Sequence, residues 1–168
     1  EYDTSQYRQM MEAAAEQNVV VVKAQKGMSF KLGDSCSFHV LSPEKKNDDE
    51  DPNDHSIVLS ADIRGMEFLF MGDATSKVEK RLIADKSLPV CDVLKVGHHG
   101  SDTSTKKAFL DTVKPQYAVI TCNLEEDGSH PNSNVLKRLG NVSATILRTD
   151  LDGSILMLVT DKDFKIYT

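Results

Sequence analysis

Hydrophobic and polar positions change rhythm once along this chain of 168 residues. Over residues 4–17, Tyr7, Met10, Met11 and Ala14 recur at i, i+3, i+4 and i+7, which predicts an amphipathic helix. The β-branched run at 19–23 predicts a strand, and after Gly27 a second short strand is predicted at 30–32. Alternation over 37–41, stopped by Pro43, adds another. Residues 56–63 and Met66–Phe70, joined by Arg64-Gly65, read as a hairpin. This first part is an antiparallel meander.

From Asp73 onward, strand and helix alternate. Ser76 and Glu79 have the spacing of a capping box, for a helix through about Ala84. Residues 91–96 read as a buried strand. Residues 104–113 read as a helix turning Ala108, Phe109 and Val113 inward and ending before Pro115. A further buried strand spans 117–122. Pro131 suits the first turn of a helix carrying Val135, Leu136 and Leu139. Thr145–Arg148 and 155–159 read as a hairpin about the turn 150–153, with Phe164–Tyr167 as a last strand. No repeat, low-complexity tract or linker interrupts the pattern. The expected class is α/β with α+β character: a mixed sheet with helices packed on it, in one domain.

Composition adds limits. A hydrophobic content of 39% and a charged content of 27% are those of an ordinary globular chain. No apolar run approaches the roughly 20 residues that span a bilayer. The net charge of -6 argues against a broad basic face for nucleic acid. It leaves room for a nuclease, because a bound metal brings its own positive charge. With 6% aromatic residues and no Trp, a base-stacking platform is not evident. Cys36, Cys91 and Cys122 form no C-x-x-C pair and are silent about compartment; Cys91 and Cys122, at strand ends, read as small buried hydrophobes. The acidic stretch 44–54 lacks the alternating calcium-loop pattern and reads as a solvated loop.

Candidate chemistry gathers at strand ends. Cys91 to Ser101, CDVLKVGHHGS, runs a buried strand into two adjacent histidines and a Gly-Ser turn. Two polar rings directly after a buried strand point to a metal or phosphate site, where such sheets collect reactive groups. Asp73, after Gly72 at another strand end, is a carboxylate for the same edge, or else a helix N-cap. Gly128-Ser129-His130-Pro131 offers a third histidine. Asn53, His55 and Ser56 precede a strand near that edge, and His39 reads as scaffold. Lys95, inside an apolar strand, is either a paired edge lysine or a phosphate contact.

Taken in order, N-x-x-S-I-V-L, F-L-F-M-G-D, D-V-L-K-V-G-H-H-G-S and S-H-P resemble the metallo-β-lactamase superfamily. The match is best to its ComEC-like branch, which includes the hydrolase domain of competence DNA-uptake proteins, and it covers roughly residues 40–159. The resemblance implies an αββα sandwich, of which this chain holds mainly the second half, and a site for two divalent metal ions, zinc or manganese. It makes Asp73 the carboxylate bridging the metals and His99 a ligand. His98 would reach the substrate phosphate, and His130 would line the site from the facing loop. Asn53, Ser56 and Ser101 would lie with the substrate, and Asp150 and Gly153 would be mostly structural. The family's H-x-[DH]-x-D-H motif occurs nowhere in these residues and is expected upstream, in keeping with a chain that starts at Glu1. The expectation is therefore a partial domain. Alone it would bind metal weakly, be inactive, and self-associate through a bare sheet face. Its parent would hydrolyse phosphodiesters, with DNA one candidate substrate, on the outer face of a bacterial membrane or beyond it. The alternatives are another ester or lactam substrate, or a non-catalytic domain that binds a ligand or partner.

Overall fold

The computed structural model describes residues 4–46, 50–123 and 130–168. Four strands form the meander: β1 (Ser29–Lys31), β2 (Cys36–Ser42), β3 (Val58–Ile63) and β4 (Met66–Phe70). The positive φ of Arg64 and Gly65 turns β3 into β4. The sheet then changes character. β5 (Val93–Lys95), β6 (Tyr117–Ile120) and β7 (Thr145–Arg148) continue it, each parallel to its predecessor and starting with β5 beside β4. Parallel neighbours need crossovers, supplied by α2 (Ser76–Ala84), α3 (Lys107–Val113) and α4 (Ser133–Asn141).

Side-chain alternation splits the sheet into two faces. Leu69, Leu94, Ala118 and Ile120 face the helices, packing with Val78, Leu82, Phe109, Leu110, Val113, Val135 and Leu139. Phe68, Val93, Tyr117 and Val119 point the other way. There they meet a separate hairpin of β8 (Leu156–Val159) and β9 (Phe164–Tyr167) through Met157, Val159 and Phe164. The mixed α/β class holds. Among the described residues no helix is long and apolar enough to cross a membrane.

Several local expectations are corrected. The run 19–23 is not a strand, and Val19 to Val22 are all at least half exposed. The first helix forms, as α1 (Ser5–Glu16), but buries no residue. The helix α2 is capped by Thr75, whose hydroxyl accepts from Lys77 N–H, so the capping box of Ser76 and Glu79 does not form. In α3, Leu110 is buried where Ala108 was expected; Ala108 is exposed. Pro131 precedes the cap Asn132 and lies outside α4. The expected hairpin of β7 with β8 is absent: β7 joins the large sheet, and the short helix α5 (Thr149–Asp152) follows it. Of the acidic stretch 44–54, residues 47–49 lie outside the described residues. Its end is no solvated loop. Pro52–His55 form a 3₁₀ turn, and Asp54 is buried, accepting from the Thr75 hydroxyl.

Candidate functional site

The four parallel neighbours end side by side, Phe70 beside Lys95, Lys95 beside Val119, and Ile120 beside Arg148. Their carboxyl ends therefore deliver Gly72-Asp73, His98-His99, Thr121 to Asn123, and Thr149-Asp150 to one edge. That edge is where ligand sites of such sheets collect. A cleft of about 490 Å³ opens there, lined by His98, His99, Thr121, Cys122, Asn123, His130 and Thr149.

Asp73 is held from behind. Its backbone N–H donates to Ser56 Oγ at 3.1 Å. Gly72 has φ +55, and a Cβ there would stand 3.2 Å from the Ser56 Cβ and 3.3 Å from the Ile57 carbonyl oxygen, so the close approach requires glycine. Both histidines adopt left-handed backbone, His98 at φ 48 and His99 at φ 53. That unusual turn swings the two rings to different partners. His99 Nδ1 lies 2.6 Å from the Thr121 carbonyl oxygen, which only accepts, so this nitrogen carries the proton. Nε2 then presents a lone pair, 3.4 Å from Asp73 Oδ1, in a half-exposed pair. Two acceptors facing each other at that distance make a place for a proton or a cation. A histidine that ligates by one nitrogen commonly donates the other to a carbonyl in this way.

His98 uses Nδ1 on the Thr103 hydroxyl at 3.3 Å, and its ring centroid lies 5.9 Å from that of His130. Asn132 N–H donates to the Gly100 carbonyl at 2.9 Å and holds the His130 loop against the histidine turn. Gly128 and Ser129 lie outside the described residues. The remaining expected site residues are not among those lining the cleft. Ser101 is buried, with its hydroxyl on Thr103; Ser56 supports Asp73; Asn53 and His55 belong to the 3₁₀ turn. His39 bonds Ser29 on the outer strands. Lys95 lies on a central strand, not an edge. Its Nζ donates to the Val96 carbonyl at 2.9 Å, and burial lowers its pKa against the opposing pull of Asp73.

Thr121, Cys122, Asn123 and Thr149 were not anticipated. Only their position just past β6 and β7 could have marked them. Cys122 Sγ donates to Asp150 Oδ1 at 3.1 Å. The Arg148 guanidinium, bonded to both Asp150 oxygens, takes that carboxyl down to about 2. Burial first, then Asp150, raises the Cys122 thiol, which makes it an unreactive wall. Among the described residues no group of three or more His, Cys, Asp or Glu side chains is arranged to hold a metal. Asp73 and His99 are a pair of donors, not a complete set.

No protein-family model matches the chain. It is similar to ComE operon protein 3 of Bacillus subtilis (strain 168), 35% identical over 146 residues, or 87% of this chain and 19% of that protein. It is 36% identical over 124 residues to Competence protein ComA of Neisseria gonorrhoeae, covering 73% of this chain and 18% of the relative. Recombination protein 2 of Haemophilus influenzae is 35% identical over 118 residues, 70% of this chain and 15% of the relative. The chain thus spans less than a fifth of the length of each of these relatives.

Proposed function

We propose that this chain carries part of a metal-dependent hydrolase centre of the metallo-β-lactamase superfamily, ComEC-like branch. The intact protein then cleaves phosphodiesters, with DNA the leading substrate. The observation that carries this reading is the Asp73–His99 pair, two acceptors 3.4 Å apart at the ends of neighbouring parallel strands. The pair fits a divalent-cation site in part. An open zinc site takes about three protein ligands, so the reading assigns the rest to residues outside these 168. The names of two of the relatives, one a competence protein and one a recombination protein, support DNA as the polymer handled.

Two divalent cations would supply Lewis acidity and an acidified water. The chain's own residues have separable tasks. Asp73 and His99 would hold cations through Oδ1 and Nε2, with Ser56 and the Thr121 carbonyl fixing their orientation. His98, with Nδ1 engaged by Thr103, keeps Nε2 for a phosphoryl oxygen, and His130 faces it across the cleft. Asn123, Thr121 and Thr149 line the cleft as polar contacts for a sugar-phosphate chain.

The test is metal content by elemental analysis of the intact protein carrying Asp73→Ala or His99→Ala, beside phosphodiester assays with manganese and zinc. Loss of metal and of cleavage in both variants is expected. Unchanged metal loading in both sinks the ligand assignment. Turnover of another ester with none of phosphodiesters redirects the substrate, and binding without turnover leaves a non-catalytic domain.

A further inference from the structure

The segment from Gly97 to Lys106 is bent against backbone preference at three places, with His98, His99 and Thr105 at φ 48, 53 and 54. A β-branched residue in that region persists only where its surroundings over-determine it. Those surroundings can be named. Glu79 of α2 is 1% exposed, and its two carboxylate oxygens accept from the backbone N–H of Thr105 and, at 3.1 Å, of Lys106. Arg138 of α4 grips the opposite side, donating Nε to the Thr105 carbonyl at 2.8 Å and a second nitrogen to the Ser104 carbonyl at 3.2 Å. The Ser104 hydroxyl donates to the Gly97 carbonyl at 2.9 Å, one residue before His98. Glu79, Thr105, Ser104, Gly97 and His98 are thus successive links.

We propose that Glu79 is a positioning residue for the His98–His99 turn, its negative charge clamping Thr105 and Lys106 so that His99 stays aligned with Thr121 and Asp73. The assignment rests on reading Asp73–His99 as the functional pair. The charges facing Glu79 are Lys106 of the same segment and Arg138 of α4, the latter shared with Asp102; Lys107 and Asp111 of α3 pair with each other. Both facing cations favour the ionised carboxyl, but burial outweighs them and raises it to about 7. Above that pH two amides meet a charged acceptor; below it they keep only weaker, neutral hydrogen bonds.

The experiment uses the ¹⁵N-labelled 168-residue chain without metal or substrate. The Thr105 and Lys106 amide signals are expected to shift together with a midpoint near neutrality, and Glu79→Gln to abolish that inflection. At about pH 8.5, where imidazoles are neutral, His99 of the wild type is expected to show the Nδ1–H tautomer. Folded Glu79→Gln is expected to give a mixture. A carboxylate that only stabilised the fold would leave that ring signature unchanged, and an unchanged signature overturns the proposal. So does the absence of an inflection in the two amides between about pH 5.5 and 8.5. Should the variant not fold, the wild-type titration alone decides by that second criterion. Neither readout involves metal loading, so failure of the hydrolase reading and failure of the clamp are distinguishable.

Discussion

Gly100 closes the histidine turn at φ +82, where a Cβ would stand 2.7 Å from the Pro131 Cβ and 3.4 Å from Ile120 Cγ2. Gly100→Ala therefore adds a left-handed L-residue, about 1–2 kcal/mol, to overpacking of about 1–3 kcal/mol. Urea unfolding should show a loss in the range of those terms. Gly140, late in α4 with open space around it, is the control: Gly140→Ala should stabilise by about 0.5–1 kcal/mol. Glu79 gives a pH prediction of unusual sign. Its carboxyl is raised in the folded chain, which therefore binds the proton more tightly than the unfolded chain between about 4.5 and about 7. Its contribution to stability is greatest at the acid end of that window and falls as pH rises through it. The stability difference between wild type and Glu79→Gln, from urea midpoints at each pH, should shrink from pH 5 to pH 8; a difference that grows would contradict the assignment. At this scale the sequence offered candidate residues but not which way they face. Asp73 and Thr75 are both good caps by type, but the cap went to Thr75 and Asp73 lies beside His99.

Elements were legible wherever periodicity coincided with burial. The meander and the alternation after Asp73 are plain in the pattern, because buried parallel strands must be apolar and their crossovers amphipathic. Residues 19–23 misled for the converse reason: a β-branched run has strand propensity, but propensity without a partner makes no strand, and here the run is exposed. β7 and β8 misled because two apolar runs around Asp-Gly suit a hairpin equally well; the edge of β6 captured β7 instead. The cleft wall of Thr121, Asn123 and Thr149 stayed hidden because ordinary polar residues become a site only once β6 and β7 are known to end together. The acidic loop hid an anchor. Asp54 accepts from the Thr75 hydroxyl and lies 3.8 Å from Lys77 Nζ, joining the 3₁₀ turn to the start of α2. Asp54→Ala leaves the Thr75 hydroxyl without its buried acceptor and should cost about 1–3 kcal/mol in urea unfolding. A cost near zero would mean the turn and α2 are independently stable.

For the whole molecule the question is what covers the face of the sheet opposite the helices. The reading of the chain as a partial domain led to the expectation of a bare apolar sheet face, and the structure puts Phe68, Val93, Tyr117 and Val119 on it. The structure instead lays the β8–β9 hairpin across it. Phe164 meets Tyr117 edge-on with ring centroids 5.5 Å apart, Phe68 is only 6% exposed and Val93 3%, and a cleft of about 460 Å³ remains between hairpin and sheet. The hairpin is two-stranded and therefore marginal by itself, so its stability comes from the sheet it covers, and the sheet's solubility from the hairpin. Deleting residues 154–168 should leave the strand and helix core formed but bare an apolar patch of the size that associates. Sedimentation velocity is expected to show dimers and larger species that the 168-residue chain does not form under the same conditions. Deleting residues 1–18 is the matched control, since α1 buries no residue and its loss should change neither the sedimentation profile nor the unfolding midpoint. If both truncations sediment like the parent, the hairpin is not what keeps this face from other copies. If the parent itself associates, the remaining cleft beside Lys95 is enough to recruit a second surface, and the apolar face read from the sequence is only partly closed by its own chain.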